Sequence, residues 1–355
     1  MKIAILNDTH CGVRKSADTF IKYQERFYTE IFFPYLKKYR IKHILHLGDY
    51  YDDRKSLNIK ATRENRKHFL DVLIKDKIKM DVILGNHDVF YKNTNAVNSI
   101  TELLNFYPDN IRIIEEPTVV EYESLKMALI PWINNQNYHE TLKFIDSCGT
   151  DWMAGHFEFS GFEMSKGNMN HHGMEVTPSF SRFESILSGH FHTKSSKGNI
   201  HYLGAQMEFT QIDCNDQKYF HILDTETREL EAIKNPLTIF QTIMYDDTKM
   251  NYLKEFYVST VKQKFVRLIV VNKTDQSKLD AFVTKLQESE LYELKIDETF
   301  NEFRGENVSD ENIIIEDTGT LLDTYVDSVE TDLDKEKIKT VMRELYAQAC
   351  NEELT

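Results

Sequence analysis

Cysteine is scarce in this 355-residue chain. Cys11, Cys148, Cys214 and Cys350 lie far apart and form no Cys-x-x-Cys pair. That excludes a zinc ribbon or a disulfide framework and predicts a reduced, cytoplasmic setting. Long apolar runs are missing as well. No stretch reaches the roughly 18 apolar residues that mark a membrane span, so no membrane association is expected. The opening "MKIAILNDTH" is no secretory signal, because its apolar run is short and Asp8 and His10 interrupt it. Internal repeats and low-complexity tracts are also absent. Positive charge is in deficit: the net charge is −14, which on its face argues against a nucleic-acid partner. The distribution weakens that argument. Residues 301–355 hold 15 Asp and Glu against 5 Lys and Arg, leaving only −4 on the first 300 residues. Bound cations would move that body further toward positive.

What is present is a hydrophobic fraction of 41%, enough for a sizeable core. The length suits a large domain plus something smaller. Over residues 1–235, short apolar runs end in polar or glycine-containing turns: "KIAIL", "HILHL", "MDVIL", "KMALI", "DWMAG" and "SILSG". Their length and punctuation predict buried strands. Between them lie helical patterns near 19–39, with Phe20, Tyr23, Phe27, Ile31 and Tyr35 on one face, and near 60–75. The alternation predicts an α/β layered domain with its functional groups in the loops at strand ends. A break near Pro236 precedes a small β-α-β accessory unit at 236–300: strands at 264–271 and 292–296 flank a helix at 275–289. An acidic linker is expected at 301–317, then two amphipathic helices in 318–355.

Five clusters end five of the strand-like runs: Asp8-Thr9-His10, Gly48-Asp49 with Asp52, Gly85-Asn86-His87-Asp88, Gly155-His156, and Gly189-His190-Phe191-His192. Each alone is common by chance. Together they offer carboxylate, imidazole and amide donors, the mixture that suits Mn²⁺, Fe²⁺ or Zn²⁺. The inventory exceeds one ion's needs, and two ions bridged by a carboxylate suit phosphoester displacement.

This order of motifs resembles the calcineurin-like metallophosphoesterase superfamily. "GDYYDDR", "GNHD" and "GHFH" carry that likeness. "GNHDVFYKN", "LIPW", "GHFEFSGF" and "SGHFHT" resemble its SbcD-type double-strand-break-repair nucleases, in particular the recombination endonuclease subunits of T-even-like phages. The likeness covers residues 1–235. It implies a four-layer α-β-β-α domain with a small α+β capping domain and a C-terminal helical hairpin. It also implies two divalent ions, Mn²⁺ or alternatively Mg²⁺. Asp8, His10, Asp49 and His192 would hold one ion. Asn86, His156 and His190 would hold the other, with Asp49 bridging. His87 would stand beside the scissile phosphate, and Asp52 would hydrogen-bond it and fix its tautomer. The family activity is 3′→5′ exonuclease on duplex ends and endonuclease on single strands, by a hydroxide activated at two metals. It further implies a homodimer built near 60–75 and 95–106, and docking of the C-terminal helices on an SbcC-like ABC-type ATPase; docking on this chain's own accessory unit stays open.

Arg54, Lys55, Tyr91 and Lys92, with Lys60, Arg63, Arg66 and Lys67 nearby, are candidate phosphate-backbone contacts, equally readable as a solvated face. Asp53 has no assigned role and is expected to be a bystander or a partner of Arg54. His43, His46, His68, His139, His171, His172, His201 and His221 are expected to be structural or surface residues, and Cys11 a core residue. Asp88 would order the turn behind His87. Two rivals remain: a protein phosphatase or small-molecule phosphodiesterase of the same fold, and a non-enzymatic DNA-end-binding scaffold. Against the phosphatase stand the Asp52-Asp53-Arg54 spacing and "GNHD", where that class places Arg directly after the second Asp and reads Gly-Asn-His-Glu.

Overall fold

Two mixed sheets carry the molecule. A computed structural model describes residues 1–165 and 168–298, with single helical positions between 326 and 342. The expected linker at 301–317 lies outside the described residues, as does most of 318–355. Residues Met1–Phe303 form one compact unit.

The first sheet runs β14 (Leu230–Lys234), β13 (Tyr219–Asp224), β1 (Lys2–Leu6), β2 (His43–His46), β3 (Lys79–Ile83) and β4 (Ile111–Ile114). Strands β1 to β4 are parallel, and β13 and β14 pair antiparallel at one side. The second sheet runs β11 (Ser195–Lys197), β12 (Ile200–Tyr202), β10 (Ser185–Ser188), β7 (Trp152–Gly155), β6 (Leu125–Ile130) and β5 (Thr118–Tyr122). Strands β6, β7, β10 and β12 are parallel. All six apolar runs read from the sequence fall on strands of these two sheets.

Strand alternation sorts the core into layers. Ile3, Ile5, Leu45, Leu47 and Ile83 face inward and meet Met127, Leu129, Trp152, Ala154 and Leu187 of the second sheet. Ala4, Leu6, Ile44, Met80 and Val82 face outward, under helical segments at 18–39, 59–75 and Ser99–Leu104. On the far side of the second sheet, Ala128, Ile130, Met153 and Ile186 pack with Ile145 of the helix Tyr138–Ser147 and with Phe180. The order is therefore helix, sheet, sheet, helix. Every parallel strand of the first sheet ends at the same edge, and so do those of the second.

Both long helices carry a π-helical turn, at Phe27–Phe32 and at Arg66–Leu70. A π turn holds more residues than an α turn and shifts the buried stripe. The simple period predicts Ile31 and Tyr35 at the core. The structure buries Tyr28, Phe32, Phe33 and Leu36 instead, with Ile31 and Tyr35 only partly covered.

A separate three-stranded parallel sheet follows, in the order β15 (Phe240–Asp246), β16 (Phe265–Asn272), β17 (Glu293–Asp297). The helix Gln276–Gln287, N-capped by Asp275, buries Leu279, Phe282 and Leu286 against it. Strand β15 is additional to the elements the sequence announces there. Its start is tied to the main body by the buried Glu208 carboxylate, which accepts from the main-chain N–H groups of Ile239 (2.7 Å) and Phe240 (2.9 Å). A short hairpin, β8 (Glu163–Ser165) and β9 (Asn168–Met169), completes the described strands.

One polar cluster ties the two sheets together away from the motif loops. The buried Asp81 carboxylate accepts from Arg112 (2.7 and 2.8 Å) and Tyr122 Oη (2.7 Å), and sits 2.8 Å from His43 Nε2. Burial raises its pKa, but these partners outweigh burial and bring it down to about 2. The stabilisation is complete above the ordinary carboxylate value of 3.8 and is lost as pH falls from there toward 2. Asp81→Ala should therefore cost about 3 kcal/mol at neutral pH, and urea melts at pH 7 and pH 3 should show the gap between variant and parent shrinking in acid.

Candidate metal centre

The five motif loops meet where the strands end. Leu47, at the end of β2, donates its N–H to Leu6 O (2.8 Å), Asp8 N–H bonds Gly48 O (3.0 Å), and His10 N–H bonds Asp49 O (3.1 Å). The chain must turn hard just after each strand. Asp8, His10, Asp49 and His190 all have left-handed backbones, with φ of 48°, 43°, 53° and 81°. Aspartate and histidine tolerate this region better than most residues, and such strain gathers at functional sites. At Gly85 a side chain is impossible, because a Cβ there would lie 2.2 Å from Asp49 N and Oδ1.

Seven candidate ligands converge. Asp8, His10 and His192 bring their donor atoms within 4.8 Å of one another, as do Asp49, His156 and His190. Asp49 lies between the groups: Oδ2 is 3.4 Å from His156 Nε2 and 3.8 Å from His10 Nε2. Asn86 Oδ1 joins at 2.9 Å from His156 Nε2. A third group holds His10, Asp52 and His87.

Charge and donor chemistry fit divalent cations. His10 Nε2 and His192 Nε2 face each other at 3.1 Å, and two lone pairs at that distance need a positive centre or a proton between them. Burial alone would strip His10 and His156 of their protons. The Asp52 hydrogen bond and Asp49 charge hold His10 up at about 9, and Asp49 holds His156 up at about 9. Burial also raises Asp8 to about 6, while burial and the charge of His10 push His192 down to about 3. The buried carboxylates thus demand positive charge, which protonated His10 and His156 supply, and cations would release those protons. The profile of the family described as Calcineurin-like phosphoesterase matches residues 1–194.

The chain belongs to the calcineurin-like phosphoesterases.

Enterobacteria phage T4 has a relative described as "Exonuclease subunit 1", 32% identical over 355 residues, spanning 98% of this chain and 99% of that one. Two solved structures align only loosely. One, a novel archaeal phosphodiesterase, gives a TM-score of 0.34 at 14% identity, covering 66% of this chain and all of that one. The other, a glutamine-dependent NAD⁺ synthetase from Acinetobacter baumannii, gives 0.29 at 11% identity, covering 99% and 73%.

The phosphoesterase motifs place their other residues as follows. His156 Nδ1 lies 2.7 Å from Leu47 O. A carbonyl can only accept, so Nδ1 carries the hydrogen and Nε2 is left as the donor atom for a cation. His87 is likewise held at Nδ1, 2.5 Å from the main-chain carbonyl of Asp52, and burial, with Asp49 opposing, lowers its pKa. Here the structure corrects the sequence. Asp52 orients His87 through its carbonyl, while its carboxylate turns to His10 Nδ1 at 3.2 Å. The backbone path of the loop decides this: Asp52 N–H bonds Cys11 O (3.2 Å), which brings the side chain alongside His10.

Asp53 is no partner of Arg54. It caps the next turn, accepting from Lys55 N–H (2.8 Å), Ser56 N–H (3.2 Å) and Ser56 Oγ (2.7 Å). Arg54 is half-buried, and its Nη1 has no hydrogen-bond partner among the described residues. Lys55, Tyr91 and Lys92 are exposed. Lys60 pairs with Asp18 and Lys67 with Glu64. His171 and His172 are exposed and join no ligand group among the described residues. His46 lies 3.0 Å from Thr9 Oγ1, His68 beside Glu25 and Glu64, and His201 against Ser196. His139 stacks edge-on to Tyr138, and His221 and Cys11 are buried.

Apart from Trp132, which ends the stretch "LIPW", the further supports give no sequence signal of their own. Trp132 lies against both His156 (5.9 Å) and His190 (5.5 Å). The buried Lys218 donates to His192 O (2.9 Å), Asp213 (2.6 Å) and Asp216 (2.7 Å). Asp213 in turn caps Phe209 and Thr210, and the Phe209 ring sits 5.4 Å from both His10 and His192. Only the spacing "GNHD" points to Asp88. Its buried carboxylate accepts from Tyr50 N–H (3.0 Å), Tyr51 N–H (3.1 Å) and Gly85 N–H (2.8 Å), tying the second motif loop to the third. Asp88→Ala leaves three buried donors without an acceptor and should destabilise the fold by about 3 kcal/mol. Denaturant midpoints check this.

Proposed function

We propose that this phosphoesterase is a metal-dependent DNA nuclease, acting as 3′→5′ exonuclease on duplex ends and endonuclease on single strands. In this reading it is one subunit of a nuclease–ATPase complex in phage recombination, repair and replication. The observation that carries it is the pair of ligand groups flanking the buried Asp49, with His87 beside them. The full-length likeness to an exonuclease subunit supports the substrate.

Asp8, His10, Asp49 and His192 hold one divalent ion, and Asp49, Asn86, His156 and His190 the second, with Mn²⁺ preferred and Mg²⁺ tolerated. When bound, the two ions supply charge neutralisation of the phosphate and an activated water for in-line attack. His87 works from the side of the pair. Its Nδ1–H is engaged by Asp52 O, so Nε2 is the position that gains or gives a proton, and the protonated ring serves the leaving 3′-oxygen. Asp52 acts twice, holding His87 by its carbonyl and His10 by its carboxylate.

Arg54, Lys55, Tyr91 and Lys92 contact phosphate backbone; an unpartnered guanidinium nitrogen beside the centre favours Arg54 most. Lys60 and Lys67 are occupied by acidic neighbours and contribute less. The protein works as a homodimer in the host cytoplasm. Residues 318–355 dock on an SbcC-like ABC-type ATPase, because the two short amphipathic patterns read there from the sequence are too small to bury apolar faces alone.

The deciding assay follows a labelled duplex with and without Mn²⁺, beside a generic phosphodiester and a phosphopeptide. Within it, Asp49→Ala should abolish cleavage and His87→Ala should lose about 100-fold or more while still binding Mn²⁺. Asp52→Asn should fall between parent and Asp49→Ala, and Asp53→Ala should keep near-parental activity. Undiminished cleavage by His87→Ala, or an Asp53 variant as inactive as the Asp49 one, would overturn these roles. Separately, deleting 318–355 should abolish co-purification with the ATPase partner and leave Mn²⁺-dependent cleavage intact.

A further inference from the structure

Two candidate ligand imidazoles of the centre, His156 and His10, have an oxygen near the second ring nitrogen, whereas among the described residues His190 and His192 have none at hydrogen-bond distance. A histidine that ligates a metal through one nitrogen is oriented by what its other nitrogen bonds. His156 Nδ1 has Leu47 O at 2.7 Å, and His10 Nδ1 has Asp52 Oδ1 at 3.2 Å. His87, beside the ligands, has Asp52 O at 2.5 Å. His190 has no side-chain partner at hydrogen-bond distance among the described residues. Its Nε2 approaches one acceptor, Glu158 Oε2, at 4.0 Å.

Glu158 is built to stay there. Residues 156 and 158 share a face of the extended segment beyond β7, while Phe157 and Phe159 point into the apolar core. That segment is pinned at both sides. Phe157 N–H bonds Ser188 Oγ (3.0 Å), Tyr202 Oη donates to Phe157 O (3.0 Å) and accepts from Phe159 N–H (2.8 Å), and Glu158 O accepts from Met174 N–H (2.7 Å). His190 is fixed equally well. Its N–H points at both Asp8 oxygens (3.1 Å each), and its ring lies against Trp132 and His156. The Glu158 carboxylate is outside the group formed by Asp49, His156 and His190, and with Nε2 turned to Glu158 the nitrogen left for a cation is Nδ1. It is 38% exposed, free to swing the short distance to a bond.

We propose that Glu158 is the positioning carboxylate of His190: it accepts a hydrogen bond from the ring nitrogen that does not ligate, and so sets the affinity of the Asp49–Asn86–His156–His190 metal position. A carboxylate there raises the basicity of the ligating nitrogen and fixes its tautomer. The inference rests on the proposed two-metal reading of the centre.

The test is calorimetric titration of the full-length protein with Mn²⁺, comparing parent, Glu158→Gln and Glu158→Ala. The parent should bind two ions. Both variants should weaken one of the two by roughly 10–100-fold and leave the other unchanged, with Glu158→Gln, which keeps an acceptor oxygen, the milder. The selective loss should persist in high salt, where a diffuse charge effect is screened. Two unchanged sites, two equally weakened sites, or a loss that disappears in high salt would each overturn the role of Glu158 while leaving the two-metal reading intact. A parent that binds no Mn²⁺ would overturn both.

Discussion

A carboxylate buried with no room around it is the constraint from which the rest of the centre follows. Asp49 is 1% exposed. Burying an ionised carboxylate costs several kcal/mol unless partners compensate. Its partners are cationic or donor groups drawn from other loops: His87 N–H on Oδ1 at 2.8 Å, His156 and His10 facing Oδ2. Burial raises its pKa, yet the charges of His156 and His87 hold it well below the ordinary value. It therefore stays an anion in a dry place, and every nearby loop must deliver positive charge or N–H to it. That requirement dictates Gly85, where no Cβ fits. It also dictates why the third motif loop lies directly over the second.

Backbone strain is the second consequence. Left-handed residues other than glycine cost on the order of 1–3 kcal/mol each and persist only where neighbours over-determine them. The four strained candidate ligands are each held more than once. Asp8 is gripped by His190 N–H and by Asn7, and its carbonyl takes Gln206 Nε2 (3.2 Å). His10 has Gln24 on its carbonyl (3.1 Å) and Phe209 against its ring. Asp88 braces the Asp49 loop through its next two N–H groups. The Lys218–Asp213–Asp216 cluster adds little stability as a buried ion pair, but it fixes the carbonyl of His192. Rigidity is thus supplied in large part by residues that are not themselves candidate ligands.

The sequence foretold much of this, for identifiable reasons. Strands β1, β2, β3, β6, β7 and β10 were legible because buried parallel strands read as short apolar runs closed by glycine or polar turns. The candidate ligands were legible because their motifs follow such runs. The π turns were not, since a period of 3.6 cannot announce an inserted residue, and so Tyr28 and Phe33 take the core positions expected of Ile31 and Tyr35. Asp52 was found but its carboxylate was aimed at the wrong histidine, because local spacing says nothing about which way a loop turns. Glu158 and Lys218 were missed outright: a single charged residue is unremarkable until the fold brings a distant histidine to it.

The charge pattern bears on how such a centre can meet a polyanion. The first 300 residues are nearly balanced, so net charge alone supplies no strong non-specific attraction for a polyanion. Of the lysines after the second motif, Lys60 and Lys67 spend their charge on Asp18 and Glu64. Arg54, near Asp49 and Asp88, has its pKa depressed by burial while those carboxylates oppose, and its buried Nη1 has no acceptor among the described residues. A guanidinium desolvated in advance binds a phosphate oxygen without first giving up water. On the proposed reading, positioning for cleavage and binding would draw on the same few groups.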